Sequence, residues 1–124
     1  MANDKKHILI VEDENPMARV LSMKLQQEGF EATIVGDGEA GIKSLEKDQY
    51  DLILLDILMP KVDGFSFLQK AKDMGNTVPI VVITNLSQQG DMHRAEELGA
   101  AKYLIKTDVN LNQIIDTVRE TLED

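Results

Sequence analysis

Two hydrophobic patterns alternate along the chain. Short β-branched and aliphatic runs, none longer than four residues without interruption, give way five times to segments whose apolar residues recur every three or four positions. The first strand is predicted at about His7–Val11. After it Asn15 reads as an N-cap, Pro16 as the first helical residue and Gly29 as the stop, with Met17, Val20, Leu21 and Leu25 on one face. A second strand is predicted at about Glu31–Val35. Asp37-Gly38 then opens a helix carrying Ala40, Ile42 and Leu45. The third strand, about Asp51–Leu55, is apolar on both faces, as a central strand covered by helices on each side must be.

Asp63-Gly64 is a turn signal before a helix with Phe67, Leu68, Ala71 and Met74 inward, ended by Gly75. The fourth strand, about Pro79–Ile83, is again continuously apolar. The next helix, from about Ser87 to Leu98, has only the weak stripe Met92, Ala95 and Leu98. Gly90 weakens it by roughly 1 kcal/mol relative to alanine. A fifth strand at Lys102–Ile105 leads to a last helix with Leu111, Ile114, Ile115, Val118 and Leu122 on one face. Strict β-α alternation implies right-handed crossovers and an α/β doubly wound parallel sheet. In such sheets ligands bind beyond the carboxyl ends of the strands, where strand order reverses.

Composition narrows the classes. At 124 residues the chain reads as one domain, residues 1–124, able to bury about two thirds of its unfolded surface. It has no cysteine, so it holds no disulfide framework and no thiolate metal site. The short apolar runs argue against a membrane span or signal peptide and make the cytoplasm the default location. A formal charge of −9 argues against direct nucleic-acid contact, because phosphate backbones need a basic face. His7 and His93 read as ordinary surface residues without partners.

The polar residues that end the apolar runs suggest chemistry. Ile8–Val11 runs into Glu12 and Asp13, Leu52–Leu55 into Asp56, Ile80–Ile83 into Thr84, and Tyr103–Ile105 into Lys106. Singly, each has a plain structural alternative: Asp56 or Thr84 as a helix cap, the acidic pair as solvated surface, Lys106 as a loop lysine. Jointly, carboxylates, a hydroxyl and an ammonium at strand ends are the parts needed to hold a divalent cation and move a phosphoryl group. Three neighbouring carboxylates should also repel, raising the pKa of at least one.

Over about Lys6 to Leu122 the chain resembles the receiver domain of response regulators, the phospho-accepting half of two-component signalling. The matching segments are Ile8-Leu9-Ile10-Val11-Glu12-Asp13-Glu14, Asp51-Leu52-Ile53-Leu54-Leu55-Asp56, Met59-Pro60-Lys61-Val62-Asp63-Gly64, Ile80-Val81-Val82-Ile83-Thr84 and Tyr103-Leu104-Ile105-Lys106. The resemblance implies a flavodoxin-like five-stranded sheet of order 2-1-3-4-5. It also implies that Asp56 takes a phosphoryl group from a phosphohistidine of a sensor histidine kinase or phosphotransfer protein. Asp13, Asp56 and the backbone carbonyl of Leu58 would ligate Mg²⁺, with Glu12 acting through a water.

By the same resemblance, Lys106 would pair first with Asp56 and then with a phosphate oxygen, while the Thr84 hydroxyl turns to bind another. Tyr103 would be an aromatic switch; its alternative is a strand aromatic packed on the last helix. The surface of the fourth helix, fifth strand and fifth helix would then change its preference for a protein output target. The domain would catalyse only its own phosphorylation and slow dephosphorylation. Leu58 and Leu86 are expected to flank the acyl phosphate and shield it from water.

The chain departs from the family pattern at two positions. Asn85 follows the threonine where Ala or Gly is usual, a bulkier neighbour expected to narrow access. Thr107 follows the lysine where proline in a cis peptide is usual; a cis bond before a non-proline costs about 2.5–4 kcal/mol, so a trans bond is expected.

Other classes fit less well. A flavodoxin-like FMN carrier needs a phosphate loop where Glu12-Asp13-Glu14 stands. A phosphatase with a nucleophilic aspartate carries a second aspartate where this chain has Leu58. A receiver-shaped module that signals by binding alone would not need Glu12, Asp13, Asp56, Thr84 and Lys106 together.

Overall fold

The computed structural model describes residues 5–13, 15–58 and 63–123. Glu14 and the Met59-Pro60-Lys61-Val62 segment of the motifs, and the side chain of Asn15 with its expected cap, lie outside them. Five parallel strands, β1 (His7–Val11), β2 (Glu31–Val35), β3 (Leu52–Leu55), β4 (Ile80–Thr84) and β5 (Lys102–Ile105), form one sheet of order β2-β1-β3-β4-β5. Between and after them run α1 (Asn15–Gln27), α2 (Gly38–Lys47), α3 (Gly64–Asp73), α4 (Gln89–Glu97) and α5 (Leu111–Glu123). This is the doubly wound, flavodoxin-like arrangement expected from the alternation of patterns.

Period-two alternation in the central strands divides the core into two layers. Ile8, Ile10, Leu52, Leu54, Val81 and Ile83 face Ala18, Leu21 and Leu25 of α1 and Ile114, Ile115 and Val118 of α5. Leu9, Val11, Ile53, Leu55, Ile80 and Val82 face Phe65, Phe67, Leu68 and Ala71 of α3 and Ala95 of α4. Burying each large aliphatic side chain stabilises the fold by about 1.5–3 kcal/mol. Both layers are needed because β1, β3 and β4 carry buried residues on either face.

Local chemistry sets the helix ends. Asp37 and Asp63 cap α2 and α3 by accepting from the backbone N–H of Ala40 and Ser66, both at 2.9 Å. Gly29, Gly75 and Gly99 follow helices with φ of 96°, 77° and 105°, the left-handed region that favours glycine. α4 starts at Gln89, later than expected from Ser87, and its N-cap Gln88 makes no side-chain capping bond.

Several inward assignments need correction. Val20 is 45% exposed, and Ala18 is buried in its place. Positions 18, 21 and 25 share a helical stripe, whereas 20 stands about 100° from 21. Met74 is also largely exposed, because it is the C-cap of α3, where the chain is already turning into Gly75. Phe65, absent from the expected stripe, is buried. His7 is not a partnerless surface residue: its ring is hydrogen-bonded to Thr33 Oγ1 at 2.7 Å and lies 4.6 Å from the Tyr50 ring. His93 pairs with Glu97 at 3.2 Å on exposed surface. No cis peptide occurs among the described residues, in keeping with a trans Lys106–Thr107 bond. No helix among them is long and apolar enough to cross a membrane.

Candidate phosphoryl-transfer site

The sheet register brings the four strand ends together. Val11 pairs with Leu55 and Thr84 with Ile105, so the residues that follow emerge at one edge. The ladder continues one step further: Asp56 N–H donates to the Val11 carbonyl at 3.0 Å, and Glu12 N–H to that of Val35 at 3.0 Å. Glu12 and Asp56 are thus fixed by β-sheet hydrogen bonds although both lie past the ends of their strands.

The charges converge. Lys106 Nζ lies 2.9 Å from Asp56 Oδ2 and 3.1 Å from Glu12 Oε1. The Glu12 and Asp56 side chains are buried, at 4% and 5% exposure, and that of Lys106 is mostly covered, at 11%. Asp13 is exposed, yet one carboxylate oxygen from each of Glu12, Asp13 and Asp56 lies within 4.8 Å of the others. Three carboxylates against one ammonium leave a formal charge of −3 + 1 = −2. Burial by itself would lower the pKa of Lys106. The hydrogen bond and charge of Asp56, then those of Glu12, outweigh it and hold the ammonium well above the ordinary lysine value.

The remaining residues form a second arc. Asp56 Oδ1 accepts the Leu58 N–H at 3.0 Å, so both carboxylate oxygens are engaged. The Leu58 side chain is half exposed, whereas Leu86, like Tyr103, packs against the core layer that includes Ile57 and Phe65. Thr84 is fully buried, and its Oγ1 accepts a long 3.5 Å bond from the Leu86 N–H. The Tyr103 hydroxyl donates to the Leu86 carbonyl at 2.9 Å. Leu86 therefore links the threonine and the tyrosine through its two backbone groups. Burial, then the negative charges of Asp91 and Asp56, push the Tyr103 phenol above its usual pKa and keep it a donor.

Glu12, Asp13, Asp56, Thr84, Tyr103 and Lys106 thus lie together at the carboxyl end of the sheet. The direct Lys106–Glu12 contact was not foreseen, since Glu12 was expected to act only on a metal through water. In the sequence Gly64 stands out only as a turn signal, although its backbone abuts Ile57, the neighbour of Asp56. The donor set suits a hard divalent cation: it is all oxygen, negatively charged in excess and open to water at Asp13.

Comparison with known proteins agrees with the geometry. The family described as response regulator receiver domain matches residues 8–119. The transcriptional regulatory protein PcoR of Escherichia coli is 35% identical over 117 residues, covering 94% of this chain and 51% of PcoR. The sensory transduction protein RegX3 of Mycolicibacterium smegmatis is 34% identical over 115 residues, covering 93% of this chain and 50% of RegX3. The chain therefore spans about half the length of these curated relatives. Among solved structures, a CheY-like receiver domain protein from Methanospirillum hungatei superposes with a TM-score of 0.91 at 26% identity, over 97% of this chain and 95% of that one. The receiver domain of sensor histidine kinase PA1611 from Pseudomonas aeruginosa, which has a magnesium ion coordinated in its active site cleft, gives 0.87 at 29% identity, over 97% and 99%. With its sheet order, its acidic strand-end cluster and a family match over nearly its whole length, the chain belongs to the response regulator receiver domains of two-component signalling.

Proposed function

We propose that Asp56 accepts a phosphoryl group from a phosphohistidine of a sensor histidine kinase or phosphotransfer protein. The observation that carries this reading is the buried Asp56 carboxylate held 2.9 Å from Lys106 and beside Glu12 and Asp13. A carboxylate oxygen of Asp56 attacks phosphorus. The P–O bond forms as the P–N bond breaks, and the electron pair leaves on the imidazole nitrogen, giving an acyl phosphate. Asp13, Asp56 and the Leu58 carbonyl would hold Mg²⁺, with Glu12 acting through a water; when bound, the ion supplies positive charge for the phosphoryl oxygens.

Lys106 keeps its proton throughout, and its ammonium moves from Asp56 to a phosphoryl oxygen. The Thr84 hydroxyl, which now only accepts a weak bond from Leu86, donates to another. That movement pulls on the Leu86 peptide and so on the Tyr103 hydrogen bond, biasing the α4–β5–α5 surface between two arrangements. Leu58, half exposed and two residues beyond the acceptor, serves as apolar cover, and Leu86 acts by anchoring the loop. The output partner is a protein, in keeping with the acidic charge, residues 1–124 make one receiver domain, and its setting is the cytoplasm. It turns over no substrate beyond its own phosphorylation and slow dephosphorylation.

Intact-protein mass spectrometry after incubation with acetyl phosphate and Mg²⁺ tests this directly. One phosphoryl group is expected on the wild type, none on Asp56→Ala and none in EDTA. Equal labelling of Asp56→Ala would refute the assignment of the acceptor.

A further inference from the structure

The connection between β3 and α3 contains a contact that the chemistry above leaves unused. The Gly64 N–H donates to the Ile57 carbonyl at 2.9 Å. A Cβ added at Gly64 would lie 2.4 Å from the Ile57 Cα and 3.0 Å from its Cβ and Cγ1. Carbon atoms in contact sit roughly 3.5–4.0 Å apart, so any side chain at position 64 drives the two backbones apart by roughly 1 Å. The nearest obstacle is main chain, which no rotamer change relieves. The Gly64 φ is not in the left-handed region, so the demand for glycine comes from this contact and not from conformation.

Neither wall can yield easily. Ile57 is 2% exposed in the same cluster as Phe65, Phe67 and Leu68 of α3. The first turn of α3 is held against Ile57 by the packing of those residues. On the other side, Ile57 joins Asp56 to Leu58, and the Leu58 N–H bonds to Asp56 Oδ1. Moving Ile57 therefore moves both the carboxylate and the donor that orients it.

We propose that Gly64 is a positioning residue for the acceptor and metal site. Its missing side chain lets α3 clamp the Asp56–Leu58 turn, and the clamp sets where the Asp56 carboxylate and the Leu58 backbone stand. The inference rests on the reading of Asp56 as acceptor and metal ligand. Ligand distances in metal sites hold to about 0.2 Å, so a displacement of roughly 1 Å is large on that scale.

The test is a Mg²⁺ titration followed by amide NMR shifts of residues 12, 13 and 56, on wild type, Gly64→Ala and Asp63→Ala, with thermal unfolding of each. Gly64→Ala is expected to weaken Mg²⁺ affinity at least about tenfold. Asp63→Ala removes the α3 cap; it should lose stability but keep the wild-type affinity. Wild-type affinity in Gly64→Ala overturns the proposal, as does an equal loss in Asp63→Ala, which would make the effect one of helix stability alone. Should Gly64→Ala not fold, Ile57→Ala thins the opposite wall without adding an atom: weakened affinity supports the clamp, and unchanged affinity overturns it. Failure of the wild type to bind Mg²⁺ would instead remove the metal-site reading, and the inference with it.

Discussion

The two ends of the sheet both hold polar groups withdrawn from solvent, part-buried at the amino end and more deeply buried at the carboxyl end, and they balance them differently. At the amino end the His7 ring is bonded to Thr33 and packs at a tilt on Tyr50, while the Asp51 carboxylate accepts the His7 backbone N–H at 2.8 Å. Those groups satisfy one another locally and tie β1 to β2 and β3. At the carboxyl end the buried side chains are also engaged, since no buried side-chain polar atom among the described residues lacks a partner. The charges there are nevertheless unbalanced, because three carboxylates cluster where Lys106 pairs with two of them, Glu12 and Asp56. Hydrogen bonding alone does not separate the ends; the clustering of three carboxylates does, and such an all-oxygen, negatively charged set suits a hard cation.

The largest expected effect follows from removing the bridging cation. Lys106→Met keeps most of the stem but leaves Glu12 and Asp56 buried without their ammonium, and should lose about 3 kcal/mol in metal-free urea unfolding. A loss too small to measure would mean that water already screens the carboxylates and that the charge contrast is illusory.

Much of this contrast was legible beforehand. The continuous apolar runs of β3 and β4 point to strands covered on both faces, and Asp37 and Asp63 announce their helices. The strand-end residues were legible because the parallel sheet sends every strand's carboxyl end to one edge. Other features were hidden because they depend on angular position or on contact between distant segments. Val20 and Ala18 differ only in helical phase. Phe65 and Met74 lie at the two ends of α3, where periodicity is weakest. The Lys106–Glu12 bond joins residues far apart in the chain, and His7 finds Thr33 only through strand pairing. The tightness of the Gly64 contact is invisible to any pattern of residue types.

Asp56→Asn should move stability the other way, raising it by about 1 kcal/mol in metal-free buffer, because it relieves like-charge repulsion. Lys106 is not stranded by this change, since Glu12 still holds it at 3.1 Å. A fall in the urea midpoint would show that the Asp56–Lys106 attraction outweighs the repulsion. At the balanced end the same kind of change should only cost: Asp51→Ala removes the acceptor for the His7 N–H and should lose about 1 kcal/mol. A gain there would erase the difference between the two ends.

A smaller effect concerns pH. The folded pKa of Lys106 is raised, so the contribution of its pairing is full below the unfolded lysine value, about 10.4, and fades as pH rises through the higher folded value. The stability gap between wild type and Lys106→Met should therefore stay constant from about pH 7 to about pH 9.5 and narrow only above about pH 10.5. A gap that closes near neutrality would contradict a tightly held ammonium.

The most direct measurement is the dependence of unfolding on Mg²⁺ in wild type, Asp13→Ala and Asp51→Ala. A ligand bound only by the folded state adds about 2.7 kcal/mol at a hundred times its Kd. Wild type and Asp51→Ala should both be stabilised as Mg²⁺ rises, while Asp13→Ala, which lacks one carboxylate of the unbalanced end, should not respond. No Mg²⁺-dependent shift in the wild type, or an equal shift in Asp13→Ala, would contradict the claim that the charge surplus is a cation site.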